Sequence, residues 1–324
     1  FARKVAPALA AGCAAIVKPS EHTPLTAVAT QYLAECAGVP GGVFEVITAD
    51  RDNSVLIGDA MCAHPEIKKV SFTGSTVVGK LLMKQCSDTV KRVSLELGGN
   101  AAFIVFDDAD IDEAVAAAMS SKFRNAGQTC VCADRFLVHE SVEEEFISKF
   151  VEAAKELNVG AGSDESVTLT PLITSAAVQQ ISEKVTEAVD NGATILLGGN
   201  SLPSLGANFF EATILNTVDR ASKLWRTETF GPVAAISAFS TEDEAIELAN
   251  DTSSGLAAYV MTRDVGRIFR VTERLENGLV GVNEGVISSA YAPFGGVKES
   301  GLGREGSSMG IDEYIETKYV FLNH

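Results

Sequence analysis

The sequence predicts an α/β fold in which parallel sheets are covered by helices, and three observations predict it. Short apolar runs rich in Val, Ile and Phe alternate with longer amphipathic stretches along most of the chain. That alternation implies parallel strands linked by crossover helices. Glycine and proline fall between the runs, where such connections turn. The length, 324 residues, exceeds what one hydrophobic core usually supports and points to two domains.

Taken in order, Phe1-Ala2-Arg3-Lys4 runs straight into a helical pattern, with no cap and no targeting segment, so the chain is expected to begin inside a domain. Cys13–Lys18 reads as a buried strand and Leu25–Ala37 as a helix stopped by Gly38 and Pro40. A strand at Val43–Ile47, a helix at Ser54–Met61 and a strand at Lys69–Phe72 follow, then a helix at Thr76–Cys86 and a strand at Val90–Leu95. The rhythm continues through strand Phe103–Phe106, helix Ile111–Lys122, strand Arg135–Val138 and helix Val142–Leu157. Helices Ala176–Asn191, Thr241–Asn250 and Val265–Leu275 alternate with strands Thr194–Leu197, Ala234–Ala238, Ala257–Met261 and Leu279–Val282. Beyond Pro293 the chain turns Gly-rich, and Tyr314–Leu322 alternates like an edge strand. The expected domains are 1–98 and 99–298, with 299–324 as a return segment.

Composition narrows the function. Apolar residues at 46% against 21% charged describe a folded globular protein. A net charge of −17 with no basic stripe argues against nucleic acid as a partner. The longest apolar run, Val5 to Val17, contains Pro7 and Gly12 and is too short to span a bilayer, so no membrane partner is expected. Six cysteines scattered over the chain do not read as a disulfide framework, which favours a reducing compartment, cytosol or mitochondrial matrix. None has zinc-site spacing, so no metal is expected.

Several segments carry chemistry. Phe123-Arg124-Asn125-Ala126-Gly127-Gln128-Thr129-Cys130-Val131-Cys132 holds two cysteines in a polar, Gly-containing stretch with no histidine nearby. An unperturbed thiol has a pKa near ~8.5 and reacts only as the thiolate, so a catalytic role needs an activating environment; a buried apolar role is the ordinary alternative. Gly74-Ser75-Thr76-Val77-Val78-Gly79 joins a strand to a helix, where helix amides can hold a pyrophosphate. Lys18-Pro19-Ser20-Glu21 sits at the carboxyl end of a strand, where α/β folds bind ligands. Glu96-Leu97-Gly98-Gly99 ends an apolar run with a carboxylate whose pKa burial would raise toward that of a general base. Glu228-Thr229-Phe230-Gly231-Pro232 and Phe294-Gly295-Gly296 are further turns, each unremarkable alone.

Read together and in this order, Lys-Pro-Ser-Glu, Phe-Thr-Gly-Ser-Thr, Glu-Leu-Gly-Gly, Gly-Gln-Thr-Cys, Glu-Thr-Phe-Gly-Pro and Pro-Phe-Gly-Gly closely resemble the NAD(P)-dependent aldehyde dehydrogenase superfamily over essentially the whole chain. The resemblance implies a Rossmann-type cofactor domain, incomplete at its N-terminus, a catalytic α/β domain and a C-terminal oligomerisation strand, in a homodimer or homotetramer. It implies that Cys130 attacks the aldehyde and that Glu96 activates the hydrolytic water. Lys18 and Glu21 would hold the adenosine ribose, Ser75 the pyrophosphate and Glu228 the nicotinamide ribose, with Phe230 helping to position that end; Ser20, Gly74 and Leu97 would join the cofactor site. A carboxylate at Glu21 suits the free 2′-hydroxyl of NAD and repels a 2′-phosphate, while Lys18 and Ser20 leave room for NADP.

Within the superfamily the sequence is most similar to succinate-semialdehyde dehydrogenases, through the segment ending at Cys132, through Asn283-Glu284-Gly285-Val286-Ile287-Ser288-Ser289 and through Gly310-Ile311-Asp312-Glu313-Tyr314. That similarity implies an aldehyde substrate with a distal carboxylate, bound by Arg124 and Ser288 with Phe294 alongside; glutarate semialdehyde stays open. It also makes Cys132 a redox candidate beside Cys130, with a buried spectator thiol as the alternative. The family further carries a portion before Phe1, including a Pro-Trp-Asn motif that supplies an oxyanion donor. A cofactor-independent thiol esterase and an inactive remnant are the alternatives from other classes.

Overall fold

The computed structural model describes all residues 1–324. The chain divides into two compact units. The first comprises Phe1–Leu97, Ser288–Gly295 and Gly301–His324; the second comprises Gly98–Ile287 and Gly296–Ser300. Ser288–Gly295 thus groups with the first unit.

The first unit opens with α1 (Ala2–Ala10), β1 (Ala15–Val17), α2 (Pro24–Cys36), β2 (Phe44–Val46) and α3 (Arg51–Ala63). It continues through β3 (Lys69–Thr73), α4 (Thr76–Ser87) and β4 (Arg92–Glu96). Caps fix two helix starts: Asp50 accepts from the Asn53 amide and Ser75 from the Val78 amide. The strands form two small sheets. β1 pairs with β2 in parallel, and β3 pairs with β4 in parallel with Thr73 opposite Glu96.

The second unit runs β5 (Ala101–Val105), α5 (Ile111–Lys122), β6 (Ala133–His139), α6 (Glu143–Lys155), α7 (Ser175–Asp190), β7 (Thr194–Leu197) and β8 (Thr213–Asn216). It goes on through α8 (Lys223–Arg226), β9 (Val233–Phe239), α9 (Glu242–Asn250), β10 (Ser254–Gly255), β11 (Ala257–Met261), α10 (Val265–Arg274), β12 (Leu279–Val282) and β13 (Val297–Lys298). Seven of its strands make one sheet ordered β12-β11-β5-β6-β9-β8-β7, parallel except for the antiparallel β7–β8 edge. Every residue of β5 and β11 is buried, as expected of central parallel strands covered on both faces. An aromatic cluster fills one side, with Phe136 5.3 Å from both Phe103 and Phe150 between ring centroids.

β14 (Gly301–Leu302) returns to the first unit and adds antiparallel to β4, so that unit's second sheet is ordered β14-β4-β3. The expected edge strand over Tyr314–Leu322 is not formed within the chain. A tight helical stretch covers Ser308–Tyr314, and beyond it no residue is in a strand. The alternating pattern is there, but a strand also needs a backbone ladder to join, and Tyr319–Leu322 lie exposed without one. The sequence reading passed over β8 and the two-residue strands β10, β13 and β14.

Candidate active site

In the second unit, Cys130 follows a tight left-handed turn at the end of α5. Asn125, Ala126 and Gly127 have φ of 54°, 53° and 73°. A left-handed residue with a side chain costs roughly 1–2 kcal/mol, so a run of them persists only where surroundings enforce it. Three contacts do so. The Asn125 side chain donates to the Gln128 carbonyl at 3.0 Å, and the Gln128 side chain accepts from the Ile173 amide at 2.8 Å. Gly127 lies so close to the Gly231 carbonyl that a Cβ there would fall 2.1 Å from it. A Cβ at Gly99 would likewise meet the Cys130 carbonyl at 2.0 Å. Beyond the turn, Tyr259 donates its hydroxyl to the Val131 carbonyl at 2.7 Å. Cys130 itself is half-buried. Cys132 is buried, its thiol 2.9 Å from the Thr129 hydroxyl, and burial pushes its pKa up against the opposing pull of Lys122 and Thr129.

The same unit holds Glu228. Its Oε1 accepts from the Gly99 amide at 2.9 Å. Burial raises its pKa to about 7; the Gly99 amide and the Lys184 and Lys122 charges pull it down, and Asp134 pushes it up. Phe230, two residues on, is exposed in the left-handed region with φ 50°. Arg124 is exposed at the start of the left-handed turn.

The first unit holds Glu96 at the end of β4, between Thr73 of β3 and Gly301 of β14. It is only 3% exposed and neither carboxylate oxygen has a hydrogen-bond partner. Burial raises its pKa to about 8, helped by the charge of Glu305 and opposed by Lys4, Arg304 and Arg3. A Cβ at Gly295 would come within 3.0 Å of Oε1 and 2.6 Å of the Gly303 carbonyl, so the glycine leaves the carboxylate its room. Lys4 forms an ion pair with Glu305 and donates to the Ser71 hydroxyl at 3.2 Å.

The residues expected to hold a nicotinamide dinucleotide fit it in chemical type and setting. Gly74 and Ser75 are exposed at the start of the twelve-residue α4, and an exposed helix N-terminus favours an anion such as a pyrophosphate. A Cβ at Gly74 would strike the Phe72 ring at 2.4 Å, which keeps that approach to glycine. Lys18 follows β1 directly, donates to the Ser54 hydroxyl at 3.1 Å and lies 3.9 Å from the Glu21 carboxylate, a cation and an acceptor suited to ribose hydroxyls. Ser20 is exposed beside them, whereas Leu97 is buried against Gly79 of α4. Ser288 is exposed. Phe294 is 7% exposed, with the Arg3 guanidinium 4.3 Å over its ring and its backbone paired to Glu305.

The structure therefore gathers Cys130, Cys132, Arg124, Glu228 and Phe230 in one unit and Lys18, Ser20, Glu21, Gly74, Ser75, Glu96, Leu97, Ser288 and Phe294 in the other. Sequence reasoning missed Lys4, Ser71 and Glu305 beside Glu96, and Lys122, Asp134 and Lys184 around Glu228. No local pattern marks them, because each acts through a partner remote in sequence. No helix is long and apolar enough to cross a membrane, and no group of three or more His, Cys, Asp or Glu side chains could hold a metal ion.

Comparison with known proteins places these sites in context. Residues 1–320 match the family model described as "Aldehyde dehydrogenase family". The chain is 54% identical over 322 residues to the mitochondrial succinate-semialdehyde dehydrogenase of Oryza sativa subsp. japonica, covering 99% of this chain and 60% of the rice protein. It is also 54% identical over 320 residues to the 3-sulfolactaldehyde dehydrogenase of Pseudomonas putida, covering 99% and 65%. Among solved structures, an NADP-dependent enzyme of E. coli superposes with a TM-score of 0.96 at 51% identity, covering 98% of this chain and 65% of that one. The succinate-semialdehyde dehydrogenase of Burkholderia pseudomallei gives 0.94 at 53% identity, covering 97% and 64%. The chain thus spans less than two thirds of the length of each of these relatives.

Proposed function

From the premise that the chain belongs to the aldehyde dehydrogenase family, we propose that it serves the NAD(P)-dependent oxidation of an aldehyde carrying a distal anion, with succinate semialdehyde as the leading substrate. The observation that carries this reading is the strained left-handed turn that lies between Arg124 and Cys130 in the chain. A costly backbone held in place by the Asn125 and Gln128 side chains and by the close approach of Gly127 to Gly231 is a sign of a working site.

In this reading the Cys130 sulfur, as thiolate, bonds to the aldehyde carbon and forms a thiohemiacetal. The nicotinamide ring, when bound, supplies a two-electron hydride acceptor. With that acceptor in place, departure of the hydride from the thiohemiacetal, whose oxygen is the alkoxide left by thiolate addition, would leave a thioester on Cys130. Glu96 then takes a proton from water, the water oxygen attacks the thioester carbon, and the Cys130 thiol leaves as the acid is released. A carboxyl with a pKa near 8 is a base matched to neutral or slightly alkaline operation. Burial sets that proton affinity first; the Glu305 charge raises it further and the Lys4 charge lowers it.

Arg124 is assigned the distal anion, through charge-assisted hydrogen bonds of roughly 1.5–3 kcal/mol, with Ser288 as a second donor. Glu21 favours NAD, and Lys18 with Ser20 leaves NADP accessible. A second reading shares the mechanism and changes the anion: the Pseudomonas putida relative is named for a sulfonated aldehyde, and a guanidinium also pairs with a sulfonate. Measuring kcat/KM with succinate semialdehyde, 3-sulfolactaldehyde and butanal, each with NAD and NADP, tests both. A preference for butanal would sink the distal-anion reading.

A further inference from the structure

We propose that Lys122, Asp134 and Lys184 form a lock on a single peptide unit, Glu228–Thr229, and act as positioning residues that aim the Glu228 carboxylate at the cofactor. The inference rests on the assignment of Glu228 to the cofactor and goes one layer beneath it. The carbonyl of that peptide, on Glu228, accepts from Lys184 Nζ at 2.6 Å. Its amide, on Thr229, donates to Asp134 Oδ2 at 3.2 Å. Two charged side chains of opposite sign therefore grip the two ends of one peptide dipole. The Asp134 carboxylate is itself held by Lys122, whose Nζ donates to Oδ1 at 2.8 Å.

Burial shows that this arrangement is more than surface decoration. Lys122 is 0% exposed and Asp134 3%. A buried ion pair is a poor source of stability, because desolvating both ions offsets most of their attraction, and a well-packed apolar pair often serves a fold as well. What an apolar pair cannot supply is an acceptor for the Thr229 amide. The orientation matters because of what flanks the peptide. On one side the Glu228 side chain reaches the Gly99 amide at 2.9 Å; on the other Phe230 sits in the left-handed region. A rotation of this peptide plane would redirect both. Asp134 also lies four residues after Cys130, on the strand that the nucleophile segment enters. The lock thus ties the loop bearing Glu228 to the strand that the thiol segment leads into.

The test compares Lys184→Met, Lys184→Arg and the double replacement Lys122→Met/Asp134→Leu with the parent and with Glu228→Gln. The double replacement removes both charges together, which avoids stranding one of them in the interior. Three readouts are taken: the Kd of NAD by calorimetry, the iodoacetamide alkylation rate of Cys130, and amide hydrogen exchange over residues 226–232. The lock predicts that Lys184→Met and the double replacement weaken NAD binding at least tenfold. It also predicts faster exchange at Thr229, alkylation within twofold of the parent, and partial recovery in Lys184→Arg. If Glu228→Gln weakens NAD binding and the lock variants do not, the lock is wrong. If Glu228→Gln leaves NAD binding unchanged, the cofactor assignment fails, and the exchange rate at Thr229 still decides the lock: unchanged exchange overturns it.

Discussion

Two pairs of cysteines sit in this chain under opposite conditions. Cys62 on α3 and Cys86 on α4 face each other with their sulfurs 3.6 Å apart, 2% and 1% exposed. Burial, with Cys86 adding to it, pushes the Cys62 thiol up to about 12. Such a thiol is almost never ionised at neutral pH and behaves as a small apolar residue. Cys130 and Cys132 lie two residues apart after a left-handed turn, with Cys130 half-buried. The residue type is the same; the backbone that presents it and the water that reaches it differ. On the proposed function, reactivity is a property of the turn at Asn125–Gly127 before it is a property of the cysteine.

The sharpest way to break that contrast is to remove thiols from both pairs. Cys130→Ala is expected to lower kcat for aldehyde oxidation by roughly 10³-fold or more, as loss of a covalent nucleophile does. Cys62→Ala and Cys86→Ala are expected to stay within about twofold in kcat, while each loses about 1–2 kcal/mol of stability to the cavity left behind. Thermal unfolding and steady-state rates on the three variants check this. Comparable rate losses in all three would dissolve the distinction.

A smaller effect, still large, comes from the carboxylate in the other unit. Glu96→Gln is expected to reduce kcat by about 10²- to 10⁴-fold, the usual contribution of a general base. In the parent, the hydrolytic rate should rise with pH through about 8, as Glu96 loses its proton; in the variant that rise should vanish. Stability moves the other way. A carboxyl whose folded pKa, about 8, lies above its ordinary 4.5 favours the folded state while protonated. That contribution is complete below about pH 4.5 and is lost as pH rises through 8. The Tm of Glu96→Gln relative to the parent should therefore increase from pH 5 to pH 9, and a flat difference would show that the carboxyl is not desolvated.

Much of this was legible in the sequence because it is carried by adjacent residues. The strand–helix alternation, the Gly74-Ser75 turn before α4 and the Gln128-Thr129-Cys130 segment can be read from neighbours alone. What escaped depends on distance along the chain. Lys4 and Glu305 are 301 residues apart and meet beside Glu96; no local spacing announces such a pair. Asp134 reads as an ordinary residue just before a strand until Thr229 is folded against it. β8 went unread although β7 and β12, of the same length, did not. Tyr314–Leu322 shows the converse, a clear strand pattern that finds no ladder within the chain.

Arg124 and Cys132 give the subtler tests of the second pair. Arg124→Ala should raise KM for succinate semialdehyde about ten- to a hundredfold, the equivalent of ~1.5–3 kcal/mol, and leave KM for butanal within about twofold. Equal losses on both would remove Arg124 from substrate selection.

Oxidation probes the two cysteine pairs directly and is expected to change activity least, because it acts only when an oxidant is present. Hydrogen peroxide would oxidise the Cys130 and Cys132 thiols to one disulfide while being reduced to two waters. A bridge across a two-residue separation is strained and hence readily reduced, so dithiothreitol should restore activity fully. The Thr129 hydroxyl bound to the Cys132 sulfur must release it first, and burial keeps that thiol protonated; both slow the reaction, and the attack falls to Cys130. Cys132→Ala should therefore still lose activity in peroxide, but irreversibly, as Cys130 climbs to higher oxidation states with no partner to trap it. Peptide mapping would show Cys62 and Cys86 still reduced at the same dose, as their burial dictates. A Cys62–Cys86 disulfide forming first would mean that proximity outweighs burial, and the comparison between the two pairs would have to be drawn the other way round.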